Sequence, residues 1–241
     1  MHNVATIFRR EFSAYFNSPI AYIFIIVFLV LICGLFMTPF FLQGQADMRD
    51  FFGNLPLFFS FFIPALSMRL WAEDKRTGTF ELLMTLPIRS SEVMLGKYLA
   101  AMAFFLVALA GTLPIPIMIN ALGNPDGGAI FSGYLGAVLL GSLYMSVGIF
   151  ASGLLRDQIS AFILGMLACF ILFLLGIPAV AATIDGWISG LGSFLQQFLG
   201  LVGHYQSLQR GVLALGDLAY FLTLTAVFLA LNTLWLEGRK Y

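Results

Sequence analysis

Charge is what this sequence has least of. Only 10% of its 241 residues are charged, 12 basic and 12 acidic, against about 25% in an ordinary soluble domain. So few charges cannot keep the surface of such a chain wet, and no polar stretch is long enough for a soluble catalytic domain. The formal net charge is zero, so the clustered excess of Lys and Arg that binds nucleic acid is missing, and no nucleic-acid partner is expected. Cysteine is scarce as well. Cys33 and Cys169 lie in separate apolar runs, which argues against a disulfide framework and for small buried hydrophobes. With two histidines in all, there is no H-E-x-x-H, and G-x-S-x-G is also missing. Gly96-Lys97 has the ending of a P-loop, but Ser91 stands where the first glycine would be needed, so that phosphate cradle is absent. No catalytic residue, metal ligand or cofactor-binding residue is expected on this chain.

What fills the sequence is apolar: 60% hydrophobic residues, 26 of them Phe, and a mean hydropathy of +0.95. This is the composition of an all-α integral membrane protein. A charge at mid-bilayer costs roughly 2.5–3.5 kcal/mol, so charge-free intervals of about 18 residues or more mark spans. They fall at 20–41, 51–68, 98–121, 131–155, 159–183 and 218–236, with a doubtful seventh at 186–209 that carries five glycines, Ser189, Ser193, Gln196, Gln197, His204, Gln206 and Ser207. The middles of the spans carry no ionisable residue, unlike a proton- or sodium-coupled carrier.

Charge asymmetry arbitrates the count. Six spans place Arg9, Arg10, Arg69, Lys75, Arg76, Arg89, Lys97, Arg156, Arg239 and Lys240 on one side, leaving only Arg49 and Arg210 outside. The positive-inside rule then predicts six spans with both termini cytoplasmic. Residues 184–216 fall on the outer side as re-entrant or interface-lying helices: Trp187, Ile188, Leu191, Phe194, Leu195, Phe198 and Leu199 form one stripe, interrupted by Gly200 and Gly203. A lone His204 there reads as a hydrogen-bonded structural residue. At the other end Val4, Phe8, Phe12 and Phe16 repeat every four residues, so residues 1–19 read as an amphipathic helix on the inner leaflet. A cleaved signal peptide fits less well, because the apolar run after Arg9-Arg10 is too long.

The largest inner segment is 71–97. Within it Thr79–Leu86 suits a short helix, with Thr79 as N-cap and Pro87 as its stop. Phe80, Leu83 and Met84 share a face, which points to a docking surface rather than a solvated loop. Ser90-Ser91-Glu92 then starts the next helix. In the fourth span Gly133, Ala137 and Gly141, Ser142 with Ser146, and Gly148 with Ser152 recur at i, i+4, spacing that permits close helix approach within one subunit or at a dimer seam. Pro56, Pro64, Pro114 and Pro116 mark hinges or kinks.

The run E-D-K-R-T-G-T-F-E-L-L-M-T-L at 73–86, then Pro87 and L-G-K ending at Lys97, resembles the loop of ABC-2-type transporter permeases. In that family the pattern is E-x-x-x-G-T-x-E-x-L-L-x-T-x-P, followed by L-G-K. The segment His204–Val212 (H-Y-Q-S-L-Q-R-G-V) before the last span is similar to the gliding-motility branch of that family. The resemblance implies one half of a transporter in the bacterial inner (cytoplasmic) membrane. Its implied partners are a separate ABC ATPase that binds ATP and Mg, a second permease copy (homodimer or related heterodimer), and a membrane-anchored auxiliary subunit. It also implies a coupling helix at Thr79–Leu86 seated in the ATPase. The ATPase-coupling residues carried over are Glu73, Asp74, Arg76, Gly78, Thr79, Phe80, Glu81, Leu83, Met84 and Pro87. The resemblance puts the dimer seam and pathway at the first, second and fifth spans. A lining of Phe, Leu, Ile and Met with few polar groups (Ser60, Ser67, Asn120) suits export of a hydrophobic or amphipathic cargo. The competing expectation is a mechanical complex that uses ATP to move or release a partner protein.

Overall fold

Apolar runs of about 20 residues satisfy their backbone in lipid only by coiling into helices, and the computed structural model is helical throughout. It describes residues 2–43, 47–85 and 88–238, and contains no strand among them. Six of its helical stretches are long and apolar enough to cross a membrane. The protein is an all-α integral membrane protein.

Helix α1 (His2–Phe16) precedes the first span, α2 (Pro19–Gln43). The second span, α3 (Arg49–Ser67), runs through Met68 in α-helical conformation into α4 (Arg69–Thr77), and a short α5 (Thr79–Thr85) follows. The third comprises α6 (Ser90–Ala110) and, after a break, α7 (Pro114–Leu122). The fourth is α8 (Gly127–Leu154), and the fifth is α9 (Gln158–Leu175). Three short helices, α10 (Pro178–Trp187), α11 (Leu191–Leu199) and α12 (Leu201–Gln209), lead to the last span, α13 (Leu215–Glu237).

Helix α8 is the axis of the bundle, touching α3, α4, α6, α9, α12 and α13. Its small residues make this possible. A Cβ at Gly141 would collide with the Phe105 ring of α6, and one at Gly148 with Ser67 of α3. The small-residue spacing thus serves packing within the subunit. Helix α1 lies along α6, where Gly96 leaves room for Ile7. Ile7, Glu11 and Tyr15 face the bundle, while the Phe8, Phe12 and Phe16 rings stack along the flank.

Several expectations need correcting. The fifth span ends at Leu175 rather than Thr183, and the chain turns at Gly176 and Ile177. Pro178 is the cause: it lacks the N–H that would continue the helix and forces Ile177 into extended backbone (φ −84°, ψ 122°). The apolar stripe from Trp187 to Leu199 is not one helix, because Gly190 takes φ 84° between α10 and α11. Gly200 interrupts as expected, but Gly203 lies inside α12. Residues 71–77 continue the second span as helix instead of forming a loop. Pro87, Leu86, Arg239 and Lys240 lie outside the described residues.

Candidate functional site

The segment between the second and third spans carries nearly all the chemistry the sequence singles out. Helix α4 leaves the bundle and stops at Gly78, whose φ of 76° is left-handed. Such backbone strains any residue with a Cβ, so glycine sets the sharp corner from which α5 departs. Thr79 does not act as an N-cap. Its hydroxyl instead donates back to the Asp74 carboxylate (2.9 Å to Oδ1) and to the Asp74 carbonyl. The corner is thereby pinned to α4.

Asp74 is itself buried and belongs to a three-helix ion cluster. The Lys97 ammonium, on α6, lies 2.7 Å from Asp74 Oδ2 and 2.9 Å from Glu11 Oε1 of α1, with the Trp71 ring 5.3 Å away. The Lys97 side chain is only 2% exposed. Two carboxylates around one buried ammonium supply the pairing that burial of a charge demands. One lysine thus ties α1, α4 and, through Thr79, α5 into a single unit.

A second set of bonds fixes this unit to α8. The Ser152 hydroxyl accepts from the backbone N–H groups of Trp71 and Ala72 (3.1 Å each) and donates to the Met68 carbonyl (2.7 Å). The Lys75 ammonium donates to the Gly153 carbonyl. Phe80 then packs edge-on against Trp71 at 5.9 Å, and Leu83 is buried.

The expected residues therefore separate into two sets. Asp74, Thr79, Phe80 and Leu83 point into the protein, so Asp74 is not a surface contact, and Phe80 and Leu83 do not form an outward apolar face. Glu73, Arg76, Gly78 and Glu81 are exposed on the other side. Met84 lies in α5, its side chain outside the described residues, as is Pro87. Sequence reasoning missed Lys97, Glu11, Trp71, Lys75 and Ser152. The signal for Lys97 was present: a lysine seven residues into an otherwise uncharged apolar helix, closing the L-G-K.

The end of α6 nearest this site starts as expected around Ser90. The Glu92 carboxylate accepts from the Arg89 N–H (3.4 Å) and from the Asn3 amide of α1 (3.1 Å).

At the opposite end of the bundle, the residues 204–212 form a latch. His204 Nδ1 is 2.7 Å from Asp217 Oδ1, and the His204 ring stacks on Tyr220 at 4.2 Å. The Ser207 hydroxyl donates to the other Asp217 oxygen, and Tyr205 donates to the Phe52 carbonyl at 3.0 Å. His204 is thus a hydrogen-bonded structural residue.

Six spans and a short helix clamped outside them define a multi-pass membrane protein whose polar chemistry gathers at one end of the bundle. Residues 45–234 match the family model described as ABC-2 family transporter protein. The chain belongs to this family and is a permease component of an ABC transporter. Membership implies an ABC ATPase partner. No curated protein is matched.

Proposed function

We propose that this permease is the membrane half of an exporter for a hydrophobic or amphipathic substrate, driven by an ATPase subunit docked on α5. The observation that carries the reading is the clamp at Gly78–Leu83. A short helix whose inner face is bolted to α1, α4, α6 and α8 transmits a push as a rigid element, and its outer face offers Glu73, Arg76 and Glu81 for polar contacts. Closure of an ATPase dimer on nucleotide would move α5 and, through Lys97 and Ser152, rock the spans. The positive-inside bias puts this end in the cytoplasm of a bacterial inner membrane, with both termini beside it. A homodimer or a related heterodimer completes the transporter.

The test is ATPase activity in the assembled, reconstituted complex. Glu81→Lys reverses one charge on the exposed face and is expected to reduce permease-dependent stimulation while leaving the thermal midpoint of the permease unchanged. Full stimulation would move the docking site elsewhere. Leu83→Asp is unsuitable as a test, because it would bury a carboxylate.

A second reading, a mechanical complex that moves or releases a partner protein, draws on the opposite end. There Trp187 is 91% exposed, beside exposed Ile188, Leu191, Phe194 and Phe198, and such a row suits an auxiliary membrane subunit. Cargo movement in vesicles separates the two.

A further inference from the structure

Between α1, α2 and the α3–α4 helix two cavities run into each other. One, of about 200 Å³, opens where α4 leaves the bundle and is lined by Ser18, Arg69, Glu73, Arg76 and Gln158, with Tyr15, Ala21 and Leu66 behind them. The other, about 310 Å³, is wholly apolar and lies between α2 and α3, lined by Ile23, Val27, Phe61 and Phe62. Phe24 and Ala65 belong to both walls. Together they form a slot with a polar, arginine-bearing mouth and an apolar floor that faces the membrane: Ile23, Val27 and Phe61 are all exposed.

The arginines at the mouth are free to act. Among the described residues no carboxylate lies within ion-pair distance of Arg69 or Arg76. Arg69 is half-buried and stacks on Tyr15, its guanidinium carbon 4.3 Å from the ring centroid. Tyr15 is held in turn by donating to the Leu66 carbonyl at 3.1 Å. Burial pushes the Tyr15 phenol up, which Arg69 beside it partly offsets, so the platform stays neutral. A guanidinium stacked by its face keeps its in-plane N–H groups for a planar or tetrahedral oxyanion. Glu73 on the same wall leaves the mouth with one net positive charge.

From this juxtaposition we infer that the slot binds an anionic lipid of the leaflet on the α1 side, its phosphate at Arg69 and Arg76 and an acyl chain laid between α2 and α3. The geometry matches the chemistry in order along the chain. Ala65 is one helical turn from Arg69 and Phe61 two turns, on the order of 6 and 12 Å along the axis, so a headgroup at the arginines delivers its chain to the apolar floor. The inference rests on the permease reading for its meaning, since it names an anionic amphiphile as the class that enters from that leaflet. The binding site itself stands or falls without any ATPase.

The test uses the full chain reconstituted in phosphatidylcholine vesicles containing a trace of phosphatidylglycerol with a diazirine on its acyl chain. Photolabelling is expected on 23–27 and 57–65, competed by unlabelled phosphatidylglycerol but not by added phosphatidylcholine or inorganic phosphate. Arg69→Gln with Arg76→Gln is expected to weaken labelling roughly tenfold, the loss of one charge-assisted contact. Glu73→Gln should strengthen it. Ala65→Trp, which fills the shared wall, should abolish it, and Ile117→Trp on the exposed surface of α7 serves as a folding control. Equal competition by phosphatidylcholine, competition by inorganic phosphate, labels outside the slot, or labelling indifferent to the arginines would each overturn the site. So would cross-linking of the slot to a second copy with no lipid label. Any of these would leave the permease reading standing, because ATPase docking on α5 is measured separately.

Discussion

Replacing Lys97 by methionine keeps the length of the side chain and removes its charge. In the native chain that ammonium sits 2.7 Å from Asp74 and 2.9 Å from Glu11, with the three side chains only 2%, 11% and 12% exposed. Its removal leaves two carboxylates close together in a buried site, which costs about 3–5 kcal/mol when a buried pair is broken from one side. At about 2–4 °C per kcal/mol for a chain of this size, the thermal midpoint in detergent should fall on the order of 10 °C. Trypsin should gain access to Arg76 and Arg89, because α5 loses its anchor through Asp74 and Thr79. Adding Glu11→Gln and Asp74→Asn to Lys97→Met removes the stranded charges and should recover most of the loss, since neutral replacement of all partners is far cheaper than removal of one. A Lys97→Met midpoint within about 1 °C of native, with α5 still protected, would refute the clamp.

Other perturbations follow the same packing. Gly148→Leu drives a side chain into Ser67 and Pro64 and should cost at least about 1–3 kcal/mol, read as a lower midpoint. Asp217→Leu strands His204 and Ser207; at about 1–3 kcal/mol for unpaired polar groups it should loosen α12, seen as faster amide exchange across 201–209. Asp157, at the start of α9, accepts from the Ser160 N–H and hydroxyl, which hold its carboxyl below the ordinary value. A depressed folded pKa contributes stability above the unfolded value, about 3.9, which is lost as pH falls through the folded one. Native protein should therefore lose midpoint on acidification relative to Asp157→Asn, which caps without titrating; parallel profiles would contradict it.

Much of this was legible in the residues. Charge-free intervals located the six spans because a charge in lipid is costly whatever the fold. The motif at 73–97 marked the site because its Gly78, Glu81 and Lys97 stand in an otherwise apolar chain. Orientation was not legible. Phe80 and Leu83 face inward because Trp71 lies beside them, an arrangement that depends on how α4 leaves the bundle at Ser152, a residue 81 positions from Trp71. The Lys97–Glu11 pair spans 86 positions and has no local pattern at all. The break at Pro178 was legible but outweighed: counting charges ignores proline, and Ile177-Pro178 announces a turn inside an interval that hydropathy alone reads as continuous.

The central claim is that α5 joins this permease to an ATPase, and co-purification from native membranes tests it most directly. The native chain is expected to bring down a P-loop ATPase, identified by mass spectrometry, and Glu81→Lys with Arg76→Glu to lose it while retaining the native thermal midpoint. An ATPase retained equally by the well-folded variant, or none with the native chain in mild detergent, would contradict the account.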